Sequence, residues 1–241
     1  MNIFRLKTID STNSYLKDLA QKLIFEEGTV VVTNNQTNGR GQQGSYWESQ
    51  MGKNITCSIV LYPSFLPIQQ YFLISEAVSL GVKETLDAYI DGVTVKWSND
   101  IYYLERKIAG ILIENELIGD KFNFSVVGIG LNINQDCFFS DAPNPVSLKQ
   151  ITGKNYDIET IFKELIKNIL HRYKQLKEGD TENLIRMYHE ALYRKIGFHR
   201  YKDNERIFNA RINRISDDGF LHLVTDWQEE RSYSFRNVRF I

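Results

Sequence analysis

Val95-Lys96-Trp97-Ser98-Asn99-Asp100, continued by Ile101 to Leu104 and then by Arg106-Lys107-Ile108-Ala109-Gly110-Ile111-Leu112-Ile113-Glu114, sets the frame of the fold. Val93 to Trp97 reads as a strand. Ile101 to Leu104 and Ile108 to Glu114 read as the arms of a hairpin turning at Glu105-Arg106. Lys107 stands between Arg106 and an almost wholly apolar run. A lysine there is either a solvated strand edge or a cation at the rim of a buried strand. Gly110 inside the run signals close approach of a ligand or another backbone, which fits the second reading. Asp100 ends the preceding strand, as a turn residue or as a carboxylate that handles a proton or a metal-bound nucleotide.

Outward from this hairpin, Phe122 to Asn134 reads as a further strand after a Gly119-Asp120 turn. Ile55 to Tyr62 alternates Ile55, Cys57, Ile59 and Leu61, which predicts a half-buried strand ended by Pro63. Thr29 to Thr33 is a short β-branched strand after Gly28. Ser11 caps a helical stripe of Tyr15, Leu16, Leu19, Ala20, Leu23 and Ile24. A long helix is expected over Gln69 to Tyr89. Asp157 caps another, with Ile161, Phe162, Leu165, Ile166, Ile169, Leu170 and Tyr173 on its apolar face, and Thr181 to Tyr193 forms one more. Lys195 to Ile241 is strand-like, with turns at Lys202-Asp203-Asn204 and Asp217-Asp218-Gly219. Short strands at that density predict a small barrel or sandwich. The expected domains are therefore 1–194 and 195–241.

Gln36-Thr37-Asn38-Gly39-Arg40-Gly41-Gln42-Gln43-Gly44-Ser45-Tyr46-Trp47 is the second informative stretch. Its glycines free the backbone to approach a ligand, and exposed amides in such a loop favour an anion. Arg40 can fork two hydrogen bonds onto a carboxylate or phosphate. No Gly-Lys-Ser/Thr follows, so the loop is not a Walker loop, and it does not open a helix as a dinucleotide fingerprint does. A plain surface turn is the bland alternative. Trp47 reads as a core residue or as a plate over a ring system. Asn132 and Asn134, after Gly128-Ile129-Gly130-Leu131, suit a pocket wall or a strand-end turn.

The 241 residues carry a net charge of −1, which excludes a general electrostatic nucleic-acid binder. Cys57 and Cys137 form no metal or redox pair and are expected to be reduced and buried. His171, His189, His199 and His222 lack ligand spacing. Met1 to Asp10 has no signal-peptide core, and no apolar run approaches the ~20 residues of a membrane span. The expectation is a cytoplasmic protein without membrane contact.

Taken together, Asp10-Ser11-Thr12-Asn13, Gln36, Gly39-Arg40-Gly41, Gly44, Trp47, Lys96-Trp97, Asn99-Asp100, Arg106-Lys107, Ala109-Gly110-Ile111-Leu112, Glu114 and Gly128-Ile129-Gly130-Leu131-Asn132 resemble the biotin protein ligases. The resemblance is strong over about residues 10 to 134. It implies an α+β fold: a mixed sheet flanked by helices, of the class II aminoacyl-tRNA-synthetase-like type, then a small SH3-like β-barrel. It implies that biotin and ATP give biotinyl-adenylate, and that a lysine of a biotin carboxyl carrier protein takes the acyl group.

Under that resemblance Arg40, Lys107 and Asp100 are the catalytic set. Biotin is met by Ser11, Thr12, Asn13, Gln36, Gly39, Arg40, Gly41, Lys107, Gly110 and Leu112. The adenylate is met by Arg40, Gln42, Trp47, Asn132 and Lys107, with Mg2+ held mainly by the ATP phosphates. Gln42, Gln43 and Ser45 replace charges common in relatives, and Ser98 stands where relatives often have proline. Fewer cations in the loop imply a looser grip on the adenylate. The Ser-Thr-Asn motif starts at residue 11, leaving no room before it for a helix-turn-helix, so no DNA binding is expected. A homodimer is left open. A lipoate-type ligase and a non-catalytic biotin-binding module are the competing readings.

Overall fold

The computed structural model describes residues 2–140 and 142–241; Met1, Asp141 and the Gln43 side chain lie outside the described part. The first sheet is built from β1 (Ile3–Leu6), β2 (Val30–Thr33), β3 (Ile55–Leu61), β4 (Val93–Lys96), β5 (Asp100–Tyr103), β6 (Arg106–Ile118) and β7 (Lys121–Leu131). The helices are α1 (Thr12–Ala20), α2 (Phe72–Asp87), α3 (Leu148–Thr152), α4 (Ile158–Lys177) and α5 (Thr181–Glu190). A second sheet follows: β8 (His199–Lys202), β9 (Ile207–Ile215), β10 (Leu221–Thr225), β11 (Glu230–Tyr233) and β12 (Arg239–Phe240).

The first sheet is mixed, in the order β1-β2-β3-β7-β6-β5-β4. β1 runs parallel to β2, and every other pair is antiparallel. One face carries α2, α4 and α5 over the main core, in which Ile59, Val78, Ile111, Leu165 and Tyr188 are buried. The other face carries α1, whose Leu16 packs with Val31, Val60, Phe124 and Val126. This architecture matches the expected fold class.

Several local expectations are corrected. β3 is buried along its whole length rather than half-buried, because α1 covers the face that holds Thr56 and Ser58. α1 stops at Ala20 rather than continuing, and Ile24 is 97% exposed. There the chain must return to β2, and the turn closed by Thr29 N–H on Glu26 O begins that return. Cys57 is buried as expected, but Cys137 is exposed on the crossing segment after β7. β1 and α3 were not foreseen. α3 does carry a signature: the Ser147 side chain and Gln150 form a reciprocal capping box.

The second sheet is antiparallel, in the order β11-β10-β9-β8-β12. Its 216–219 turn is bolted to the start of α2. Asp217 O accepts from Phe72 N–H at 3.3 Å, and Asp218 O accepts from the Tyr71 hydroxyl at 2.7 Å. Gly219 has φ +81°, and its carbonyl accepts from Trp97 Nε1 at 3.0 Å. A side chain at Gly219 would be strained and would meet the Phe72 ring. The Phe235 ring then lies against Trp97 and Phe72. These contacts hold the second sheet over one end of the first. Among the described residues no helix is long and apolar enough to cross a membrane.

Candidate active site

A cavity of about 800 Å3 opens where the first turn of α1, the 36–47 loop, the β4–β6 segment and the second sheet converge. That volume is in the range of small-molecule sites. Its inner end is lined by buried polar groups. Gln36 Oε1 accepts from the Thr12 backbone N–H at 2.8 Å and from the Thr12 hydroxyl at 3.0 Å. Ser58 Oγ lies 2.8 Å from Thr12 Oγ1 and 2.6 Å from Asn13 Oδ1. Asn13 Nδ2 donates to Leu112 O at 3.1 Å and to Glu114 at 3.0 Å. Burying so many polar groups is costly unless each is paired. The network pairs them, and so fixes Thr12 and Asn13 on the wall. Gly128 is needed here because a Cβ would overlap the Asn13 amide.

Arg40 and Lys107 both line this cavity, as does Asp100. Each cation has a carboxylate. Lys107 Nζ lies 2.6 Å from Asp100, while Arg40 spans both oxygens of Glu114 at 3.1 and 3.4 Å and also donates to Ser14. Asp100 reaches Lys107 because β5 and β6 pair directly, with Tyr102 opposite Lys107. Lys107 is pinned from behind as well: its N–H donates to Asn144 O, and its carbonyl accepts from Val146 N–H, both at 2.9 Å. Each cation is thus held in place by a protein carboxylate.

Trp47 joins the two halves of the site. Its backbone N–H donates to Gly39 O at 2.9 Å, closing the 36–47 loop on itself. Its indole lies in the gap over Gly110 and Gly130, where added side chains would collide with it. The Lys107 ammonium is 5.6 Å from the ring centroid, close enough for a cation–π contact. Trp47 Nε1 is buried and has no hydrogen-bond partner among the described residues.

Most of the expected residues converge. Ser11, Thr12, Asn13, Gln36, Arg40, Gly41, Gln42, Trp47, Asp100, Lys107, Gly110 and Leu112 all lie on the wall. Gly39 and Asn132 are not among the lining residues. Gly39 serves the loop backbone, and Asn132 Nδ2 donates to Val146 O at 3.1 Å, tying down the segment that carries Asn144. Asn132 Oδ1 is buried without a partner. Sequence reasoning did not foresee Glu114 as the holder of Arg40, nor the second sheet as a wall. Phe235, Arg236 and Phe240 line the cavity, and Arg236 donates to Gln42 O in the glycine loop. That contact joins positions 194 residues apart, which no local pattern reveals. Among the described residues no group of three His, Cys, Asp or Glu side chains could hold a metal ion.

A sequence model of the biotin/lipoate A/B protein ligase family matches residues 6–132. The bifunctional ligase/repressor BirA of Bacillus subtilis is 31% identical over 219 residues, which are 86% of this chain and 65% of that protein. The chain therefore spans just under two thirds of that relative. Biotin–protein ligase 1, chloroplastic, of Arabidopsis thaliana is 40% identical over 114 residues, covering 44% of this chain and 30% of that one. Among solved structures, the biotin protein ligase from Aquifex aeolicus in complex with biotin and ATP superposes with a TM-score of 0.80 at 26% identity. It covers 100% of this chain and 99% of that one.

Proposed function

Because the chain belongs to the biotin/lipoate A/B protein ligase family, we propose that it is a biotin protein ligase. It would activate biotin with ATP and pass the biotinyl group to a lysine of a biotin carboxyl carrier domain. The supporting observation is the meeting of Arg40 and Lys107 on one cavity whose inner end is an ordered polar network. Residues 1–194 would hold biotin and ATP, and residues 195–241 would form a second, smaller domain.

The chemistry follows from the charges. A carboxylate and a triphosphate repel each other, so their approach needs fixed cations where charge gathers. Arg40 and Lys107 would exchange Glu114 and Asp100 for the biotin carboxylate and the α-phosphate. The carboxylate oxygen attacks the α-phosphorus, and pyrophosphate leaves. The released Asp100 carboxylate is then placed to accept a proton from the acceptor lysine as its nitrogen attacks the acyl carbon and AMP departs. The ureido ring would meet Ser11, Thr12, Asn13 and Gln36 at the polar end, where an unmatched group costs ~1–3 kcal/mol. Trp47 would leave the Gly110–Gly130 gap to admit ligand and then cover it. Among the described residues no three carboxylate, His or Cys side chains gather to hold a metal, which suits a Mg2+ ion held mainly by phosphates. Such an ion would supply further neutralisation of the triphosphate.

Pyrophosphate exchange with biotin and with lipoate, followed by transfer to a carrier domain, tests the proposal. Biotin-dependent exchange and transfer are expected. Exchange with lipoate alone would make the protein a lipoate-type ligase. Biotin binding without transfer would make it a binding module.

A further inference from the structure

The outer end of the cavity is walled by three rings that the two-substrate reading leaves unused. Tyr102 comes from β5, Phe240 from β12, and Tyr193 from the segment just after α5. Tyr193 is brought there because residues 191–193 run beside β4: Val95 N–H donates to Ala191 O, and Tyr193 N–H donates to Val95 O, each at 2.8 Å. The Tyr102 and Tyr193 centroids are 5.4 Å apart, and those of Tyr193 and Phe240 are 6.0 Å apart.

An alkylammonium already occupies this recess. Lys96 Nζ is 4.4 Å from the Tyr102 centroid, 5.4 Å from Phe240 and 5.8 Å from Tyr193. It donates to the Tyr102 hydroxyl at 2.8 Å. Among the described residues it makes no ion pair, although Asp100 is its direct partner across the β4–β5 ladder. Burial lowers its pKa below the ordinary lysine value; Arg194 and Lys107 act in the same direction, and Asp100 opposes them. Ring faces attract an ammonium without fixing it as a carboxylate would. The recess is therefore fitted to a lysyl side chain and, among the described residues, holds its present occupant without a salt bridge.

Resting on the ligase reading above, we infer that the Tyr102–Tyr193–Phe240 recess is the seat of the acceptor lysine. The carrier's ammonium displaces Lys96 there and is thereby delivered beside Asp100. Asp100 and Tyr102 lie two residues apart on β5 and face the same cavity, so a lysine threaded past the rings reaches the carboxylate. The recess would also select for an ammonium over a neutral nucleophile.

The test uses the full chain with biotin, ATP and Mg2+. Adenylation is read by pyrophosphate exchange. Transfer is read by single turnover of the preformed adenylate with a carrier domain or with hydroxylamine, which is neutral at neutral pH. Phe240→Leu keeps the bulk and removes a ring. It is expected to leave adenylation and hydroxylamine capture within about twofold and to raise the carrier KM about tenfold. Lys96→Met removes the resident ammonium at similar bulk and is expected to lower the carrier KM. In the wild type, n-butylammonium is expected to compete with the carrier without slowing adenylation. The inference is overturned if adenylation proceeds and Phe240→Leu leaves the carrier KM unchanged, or slows carrier and hydroxylamine alike. A raised carrier KM in Lys96→Met also overturns it. Should Phe240→Leu fail to fold, absence of butylammonium competition in the wild type overturns it alone. A wild type that forms no biotinyl-adenylate would instead defeat the ligase reading itself.

Discussion

Replacing Glu76 by glutamine should stabilise this protein, and by an amount that grows with pH. Glu76 lies on α2, is 2% exposed, and its Oε2 has no hydrogen-bond partner. It faces the junction where Asp217 of the second sheet meets the start of α2, with Tyr188 of α5 nearby. Burial, with the Asp217 charge adding to it, pushes its pKa from the ordinary 4.5 up to about 8. A carboxyl raised in this way is protonated in the folded chain while the unfolded chain has already released its proton. Between pH 4.5 and 8 the folded state binds more protons, so stability falls as pH rises and levels off above 8. At about 1.4 kcal/mol per unit, the cost is roughly 1 kcal/mol at pH 5, about 3 at pH 7 and about 4 at pH 8. Glutamine has no such proton to lose. Urea unfolding of both proteins at several pH values from 5 to 9 measures the gap, and the difference cancels the titrating groups that do not interact with position 76. Curves that run parallel across this range would refute the reasoning, as would a variant less stable at pH 8.

Other outcomes follow from the site and its surroundings. Lys107→Ala should slow biotin-dependent pyrophosphate exchange about a hundredfold or more, as expected for loss of a transition-state donor, and should change biotin affinity less. Equilibrium binding beside the exchange assay separates the two effects. Gly130→Ala places a methyl where the Trp47 indole lies; it should shift tryptophan emission and cost on the order of 1–3 kcal/mol in urea unfolding. Iodoacetamide at pH 8 should alkylate the exposed Cys137 and spare Cys57, whose thiol burial pushes up to about 12. Peptide mass spectrometry distinguishes the two.

The parts of this molecule legible from sequence are those governed by short-range periodicity. The β5–β6 hairpin, the α4 stripe and the Asp157 cap follow from neighbours within a few positions. β3 misled because its alternation of Cys57 and Ser58 looks like a face open to water. Ser58 instead meets Thr12 and Asn13 from the capped end of α1. In the site, the residue types pointed to anions, and Arg40 and Lys107 both lie on the cavity wall. Their resting partners were invisible. Glu114 closes the apolar run after Lys107, yet nothing local says that it will span Arg40. The roof was equally hidden, since Phe240 and Arg236 reach the cavity only through the docking of the second sheet.

The indole lodged over Gly110 and Gly130 marks a ready-made berth for a flat heterocycle. A planar fragment bearing one acceptor, to answer the unmet Trp47 donor from outside or to mimic the ring from within, would wedge the arginine loop away from its seat. On the ligase reading such a compound would fill the gap into which ligand is proposed to pass. Chemists seeking an antagonist could therefore begin from the two bare backbones beneath that ring.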